Sequence, residues 1–221
     1  MGTSLLNVMG PIMVGPSSSH TAGAVRLGNI ARRIGGENFK KVDFYLHGSF
    51  ARTFKGHGTD KALLGGVMGL LPSDEAIRDS FTIAKKQGIE FYFHTADLGN
   101  VHPNTVRIMM TRGNSTSSEM TGSSIGGGDV VVISVNQMKL EFTGKYPTII
   151  TVHKDQPGIV ARVTSILSKH AINIAFLRVF RQVRGQEATM VIETDQVIGN
   201  HVLQELQNVF DINKILFIDT P

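Results

Sequence analysis

The sequence predicts an α+β fold in two domains, and three observations support this. Residues 1–146 show helical periodicity first and short strand-like runs later. Residues 147–221 alternate strands and amphipathic helices in the order β-α-β-β-α-β. The length of 221 residues, 41% of them apolar, is enough for two small cores. We therefore expect a mixed domain of helices and antiparallel strands, followed by a ferredoxin-like split unit.

In the first domain, apolar residues at helical spacing follow a run of serines. The stripe from Leu27 to Ile34 ends at Gly35-Gly36 and predicts a helix over 18–34. Two more helices are predicted over 59–71 and 74–87. Turns rich in Asn, Gly and Ser separate the predicted strands, which cover 42–46, 89–95, 105–111, 130–135 and 138–142.

The second domain has clearer boundaries. Asp155 and Pro157 supply a cap and an early proline for a helix whose apolar stripe runs from Ile159 to Leu167. A second stripe, from Ile198 to Val209, predicts another helix. The predicted strands cover 148–153, 172–180, 188–194 and 212–218.

Composition excludes several classes of function. The absence of cysteine excludes disulfides, thiol nucleophiles and an iron–sulfur cluster ligated by this chain. A net charge of +4 comes from scattered basic residues without interleaved aromatic residues, so we expect no nucleic-acid partner. No apolar run approaches the ~20 residues of a membrane span, and the signal-peptide pattern is missing. We expect a soluble, cytoplasmic protein with no metal of its own.

A run of serines before the first predicted helix is a candidate anion site. Ser17, Ser18 and Ser19 are followed by His20, and hydroxyls beside free helix N–H groups suit a carboxylate or a phosphate. The helix dipole favours a neutral imidazole in the first turn, which suits a base or an orienting group. Capping alone needs one serine, so the run favours binding.

A glycine-rich segment over 55–61 is the second candidate. It brings Lys55, His57 and Asp60 within six residues, and its glycines permit close approach to a ligand. It matches neither the Walker A nor the dinucleotide glycine pattern. We interpret it as a functional loop rather than a solvated turn. The segments 102–105 and 126–128 are interpreted as a turn and as a connection between strands.

The second domain resembles an ACT domain, the small amino-acid-sensing module of metabolic enzymes. The resemblance covers residues 147–220 and rests on the Asp-x-Pro-Gly turn and on Asn173 after the first helix. It implies a homodimer through this domain and a small amino acid at the dimer interface, near Asp155, Pro157, Gly158 and Asn173. The residues alone leave open a module that only dimerises and binds nothing.

Across the whole chain, the motifs resemble the beta chain of the two-chain, iron–sulfur-dependent bacterial L-serine dehydratase. They are G-P-S-S-S-H-T, H-G-S…K-G-H-G-T-D, H-P-N-T and S-I-G-G-G. The resemblance implies a lyase that converts L-serine to pyruvate and ammonia, using a 4Fe–4S cluster on an alpha subunit. A chain without cysteine fits that division. The first domain is also similar to an allosteric substrate-binding domain of some phosphoglycerate dehydrogenases.

The resemblance also implies roles for the candidate residues. His57 is the expected base for the Cα proton, with His20 as the second candidate. The substrate carboxylate is assigned to Ser17, Ser18, Ser19 and Lys55. Asp60 orients an imidazole or the substrate ammonium.

Two other functions stay open. One is a stand-alone sensor acting through its ACT domain, and the other is a regulatory subunit whose first domain binds serine allosterically. A pyridoxal phosphate enzyme is disfavoured, because no cofactor-sized framework surrounds Lys55.

Overall fold

The computed structural model describes residues 12–15 and 17–219. The chain forms two compact units, one extending to Gln137 and the other beginning at Met138. The sequence predicts a domain boundary at Pro147. The strand Met138–Phe142 accounts for the difference, because it contacts strands of the second unit. No helix in the described residues is long and apolar enough to cross a membrane.

The first unit combines four α-helices with five strands among its described residues. In chain order they are α1 Ala22–Gly35, β1 Phe39–Leu46, α2 Gly48–His57, α3 Thr59–Val67, a 3-10 turn Glu75–Asp79, α4 Ser80–Lys86, β2 Glu90–Thr95, β3 Thr105–Arg112, β4 Ser117–Gly126 and β5 Asp129–Val135.

The strands of the first unit lie side by side in the order β2-β1-β3-β4-β5. Val42, Phe44 and Leu46 share one face of β1 and are fully buried. The helices α1, α2 and α4 contact β4, β3 and β2 respectively. The core therefore lies between the helices and one face of the sheet.

The sheet differs from the prediction at two strands. β2 pairs parallel to β1, whereas antiparallel strands were expected. β4 was not predicted, because its sequence is rich in Ser and Gly and has low β-propensity. It is a strand because β3 and β5 pair with it on both sides.

The helices differ at three places. α2 was not predicted, although Phe50 and Phe54 have helical spacing. The expected loop over 55–61 is therefore wrong: Lys55 and His57 lie in the last turn of α2, and Asp60 lies in the first turn of α3. The predicted helix over 74–87 is split into the 3-10 turn and α4.

The second unit has the predicted β-α-β-β-α-β order, preceded by one short strand. Its elements are β6 Met138–Phe142, β7 Thr148–Lys154, α5 Ile159–Lys169, β8 Ile174–Arg181, β9 Glu187–Thr194, α6 Asn200–Gln207 and β10 Ile212–Ile218. The sheet order β10-β7-β9-β8 is fully antiparallel between neighbours. Both helices pack on one face, around Val163, Ile192 and Leu206. The ferredoxin-like prediction is confirmed.

Candidate active site

Helices α1 and α3 cross in backbone contact. A Cβ added at Gly28 would lie 2.5 Å from the Leu63 carbonyl oxygen, and one added at Gly66 would lie 2.2 Å from that of Val25. Only residues without a Cβ permit this approach. The crossing fixes the position of the turn over 18–21, which leads directly into α1. Ser17, Ser18 and Ser19 are half-buried at this place, and Pro16 lies outside the described residues.

His20 is the buried member of a histidine pair, and both of its ring nitrogens have partners. Nδ1 lies 3.2 Å from Ser17 Oγ, and Nε2 lies 3.1 Å from Thr53 Oγ1 on α2. The Thr53 hydroxyl donates to the Ser49 carbonyl oxygen, at 2.8 Å. Burial, and secondly the nearby charge of His57, lower the pKa of His20. His20 is therefore held neutral in a hydrogen-bonded position.

His57, the second member of the histidine pair, is exposed at the end of α2. Its ring packs edge-on against His20, with 4.7 Å between centroids and 82° between the planes. Within the described residues, neither ring nitrogen of His57 has a hydrogen-bond partner. The structure thus places together the two histidines that the sequence analysis singled out, and leaves one of them accessible.

Lys55 and Asp60 lie on either side of His57 along the chain. Lys55 is exposed, with its Nζ 5.8 Å from the centre of the Phe54 ring. Asp60 is buried, and its Oδ1 accepts the backbone N–H of Lys61 at 2.8 Å. Burial raises the pKa of Asp60, although that hydrogen bond and the charges of both lysines oppose it. A cation bound nearby would lower this pKa and favour the charged carboxylate of Asp60.

The turn over 102–105 packs against the beginning of α2. Gly48 has a left-handed φ of +55°, and a Cβ added there would lie 2.7 Å from the Pro103 carbonyl oxygen. The Ser49 N–H donates to the same oxygen, at 2.8 Å. The predicted turn at His102 and Pro103 therefore supports the helix that carries Thr53 and His57.

The end of β4 completes the cluster. The Ser124 N–H donates to the Asn104 carbonyl oxygen at 2.9 Å, and the hydroxyls of Thr105 and Ser123 lie 2.7 Å apart. A Cβ added at Gly23, in the first turn of α1, would lie 2.0 Å from Ser124 Oγ. Four motifs that are far apart in sequence thus meet at the start of α1.

Three polar side chains at this place were not predicted from the sequence. Thr53 was not considered, and Asn104 and Ser124 received no role. Asn104 Oδ1 and Ser124 Oγ are buried without a hydrogen-bond partner in the described part of the chain. Burying such an atom without a partner costs free energy. Four other side-chain atoms of the described residues share this property, on Asp43, Thr59, Ser80 and Glu193, so burial alone assigns no role to Asn104 or Ser124. Thr53 could have been found from the helical spacing of Phe50 and Phe54, which predicts α2 and places Thr53 one turn after Ser49.

The predicted ACT ligand loop begins α5. Gly158 has a left-handed φ of +90°, and the position of a Cβ there is open space. Asp155 accepts the Gly185 N–H at 2.9 Å and pairs with Arg181 at 3.2 Å. The backbone hydrogen bond from Gly185 is the main cause that lowers the pKa of Asp155. An open cleft of about 710 Å³ lies at Pro157 and Gly158.

Asn173 lies away from that loop. It precedes β8, whereas Arg181, the partner of Asp155, ends β8. The eight residues of β8 at about 3.3 Å each separate the two places by more than 20 Å. Asn173 instead donates to Asp195 Oδ2 at 2.5 Å. One copy of the chain therefore does not bring all four predicted ACT residues to one ligand.

Comparison with known families agrees with this architecture. Residues 4–134 match the family model described as serine dehydratase beta chain, and residues 148–211 match the ACT domain. With its α+β first unit, its histidine pair and its ferredoxin-like second unit, the chain belongs to the serine dehydratase beta chain family.

Two relatives match most of this chain and most of their own length. This chain is 45% identical to the L-serine dehydratase beta chain of Peptoniphilus asaccharolyticus, over 87% of both chains. It is 41% identical to the probable L-serine dehydratase beta chain of Bacillus subtilis, over 96% of this chain and 97% of that one. A third relative, D-3-phosphoglycerate dehydrogenase of Bacillus subtilis, is 26% identical over 90% of this chain and 38% of its own length.

Proposed function

We propose that this chain supplies half of the active site of an L-serine dehydratase, which releases pyruvate and ammonia from L-serine. The observation that carries this proposal is the histidine pair beside the serine turn, because deamination needs a base and anchors for the substrate. The family and the two beta-chain relatives support it.

The other half belongs to an alpha subunit that carries a 4Fe–4S cluster. The residues of this chain do not fit such a cluster, since it contains no cysteine. No group of metal-ligating side chains was found among the described residues either. The cluster ligands would therefore come from the partner, and we assign this chain only the tasks of binding serine and moving its proton.

We assign the base to His57. It is exposed and its ring nitrogens have no hydrogen-bond partner among the described residues, so it can meet the Cα proton of a bound serine. His20 is a poor base by comparison, because Ser17 and Thr53 occupy its two nitrogens. The lowered pKa of His20 favours its neutral form. His20 therefore adds no second positive charge when His57 accepts the proton from Cα.

The proposed anchors are neighbours of the two histidines along the chain. The half-buried Ser18 and Ser19 hydroxyls and the exposed Lys55 ammonium suit a carboxylate. Asp60 suits the substrate ammonium, since an approaching cation favours its charged form.

The test is anaerobic pyruvate formation from L-serine by the chain alone and by the chain co-expressed with its alpha subunit. We expect activity only in the pair. In the pair, His57→Asn should lower kcat by at least about a hundredfold. His201→Asn, in the second unit, is the matched control and should retain activity. A His57→Asn enzyme with near-native kcat would show that the base is another group.

One alternative is a regulatory subunit whose first domain binds serine allosterically. It rests on the resemblance of the first domain to an allosteric domain of some phosphoglycerate dehydrogenases, and the chain is 26% identical to part of one such enzyme. Saturating serine separates the two functions. A site variant that loses turnover at saturation supports catalysis, whereas one that loses only cooperativity supports the regulatory function.

For the ACT domain we propose a small amino acid at the interface of a homodimer. The Asp155–Gly158 loop would come from one copy and Asn173 from the other, because a single copy separates them along β8. Asn173→Ala should weaken amino-acid binding by the dimer, measured by calorimetry, without changing the affinity of the catalytic site.

A further inference from the structure

The hydrogen bonds around His20 have a direction, and the starting point is Thr53. Its Oγ1 lies 2.8 Å from the Ser49 carbonyl oxygen, which can only accept. The single proton of the Thr53 hydroxyl is therefore used in that bond. Towards His20 Nε2, at 3.1 Å, the same oxygen can only accept, so Nε2 carries a proton.

The proton on Nε2 of His20 in turn sets the direction of the hydrogen bond between His20 Nδ1 and Ser17. A neutral imidazole with a proton on Nε2 has a bare lone pair on Nδ1. Ser17 Oγ lies 3.2 Å from Nδ1 and must donate to it. Burial, together with His57, lowers the pKa of His20 and so favours this neutral form. Ser17 Oγ also accepts the backbone N–H of His20, at 3.4 Å.

We infer that Thr53 is a positioning residue that holds His20 as the Nε2–H tautomer. Ser17 Oγ consequently donates its hydrogen bond to His20 Nδ1, and towards a substrate it can only accept a hydrogen bond. This deepens the proposed function and rests on it for the identity of the substrate. A hydroxyl that cannot donate does not bind a carboxylate, so Ser17 is suited to the ammonium group. The carboxylate is left to Ser18 and Ser19.

The direct test is ¹⁵N NMR of the histidine rings in the full-length chain, which distinguishes the protonated from the bare nitrogen. A His20→Asn variant identifies the His20 signals. At about pH 7, we expect Nε2 of wild-type His20 to be protonated and Nδ1 bare. A wild-type His20 that is protonated on Nδ1, or on both nitrogens, would overturn the inference.

Two variants examine the two ends of the ring separately. Thr53→Val removes the acceptor at Nε2, so the tautomer preference should weaken and the two nitrogen shifts should approach each other. Ser17→Ala removes the donor at Nδ1 and should move only the bare nitrogen. Thr53→Ser keeps the hydroxyl and should restore the wild-type pattern. If Thr53→Val does not fold, the wild-type and Ser17→Ala spectra still decide the direction.

The control for Thr53→Val is Thr164→Val on α5. Thr164 Oγ1 likewise lies 3.0 Å from a carbonyl oxygen four residues earlier, that of Val160, but its hydrogen bonds include no imidazole. A His20 pattern that is identical in the two Val variants would refute the role of Thr53.

Kinetics of the assembled two-chain enzyme give a second readout. Thr53→Val should lower kcat/KM for L-serine about tenfold, the value of one lost hydrogen bond, and Thr53→Ser should restore it. The spectra need neither an alpha subunit nor turnover. If the pair proves inactive on serine while the spectra are as expected, the proposed function fails and the Thr53 inference stands.

Discussion

The backbone contact between α1 and α3 predicts that Gly66→Ala lowers the free energy of unfolding. A Cβ added at Gly66 would lie 2.2 Å from the Val25 carbonyl oxygen and 3.0 Å from Gly28 Cα. Both neighbours are backbone atoms, so neither can rotate away. Because ordinary contacts of this kind are roughly 3.4 Å, the helices would have to separate by about 1 Å in Gly66→Ala.

The magnitude follows from two opposing effects. Overpacking a well-packed contact costs up to about 3 kcal/mol. Alanine recovers up to about 1 kcal/mol of helix propensity. The free energy of unfolding should therefore fall by about 2 kcal/mol, which for a chain of this size lowers the melting temperature by roughly 4–8 °C.

The assay is urea unfolding followed by far-ultraviolet circular dichroism, with Gly56→Ala as the matched control. Gly56 also lies in a helix, but a Cβ added there meets nothing within 4 Å. That variant should gain up to about 1 kcal/mol. Glycine-to-alanine substitution is thus expected to lower the urea midpoint at position 66 and to raise it at position 56. A Gly66→Ala midpoint at or above the wild-type value would refute the reasoning.

Two other variants examine electrostatics and backbone strain. Burial alone raises the pKa of Asp43, but hydrogen bonds from His94 and Lys41 outweigh it and hold that pKa below its ordinary value. The Asp43 carboxylate therefore stabilises the folded state at pH values above its unfolded-state pKa of about 4. This stabilisation is lost as the pH falls through the lowered folded-state pKa. Urea midpoints of wild type and Asp43→Asn should differ at about pH 7 and converge as the pH falls through the lowered pKa, and a constant gap would contradict this. Gly158→Ala should lose about 1–2 kcal/mol through strain at its φ of +90°, since no side-chain clash accompanies it. Thermal unfolding measures that loss, and an unchanged melting temperature would show that the loop relaxes to another conformation.

The second domain could be predicted from the sequence almost completely. Its elements are separated by Gly, Pro and Asn, and each has one clear periodicity, because one side of every helix and strand faces a single small core. The first domain was harder. β4 contains Ser and Gly residues that do not favour a strand, and it is ordered by pairing with strands on both sides.

The candidate site, too, could be predicted from the sequence only in part. Ser17–His20 and Lys55–Asp60 were recognised because several reactive side chains lie close together along the chain. Thr53 was missed because its role depends on a ring that is 33 residues away in sequence. The burial of Asn104 Oδ1 and Ser124 Oγ beside the start of α1 was also not predicted, since it depends on how remote segments pack together.

The sequence by itself determined which chemical groups this protein has and which it lacks. The serines, histidines, lysine and aspartate were evident from the motifs, and the absence of cysteine excluded an iron–sulfur cluster ligated by thiolates of this chain. Only the tertiary structure decided how these groups are arranged. It placed His20 and His57 in contact, left one of them accessible, and supplied Thr53 to orient the other. The physical reason is that protonation, burial and hydrogen-bond direction depend on distances between residues that are remote along the chain.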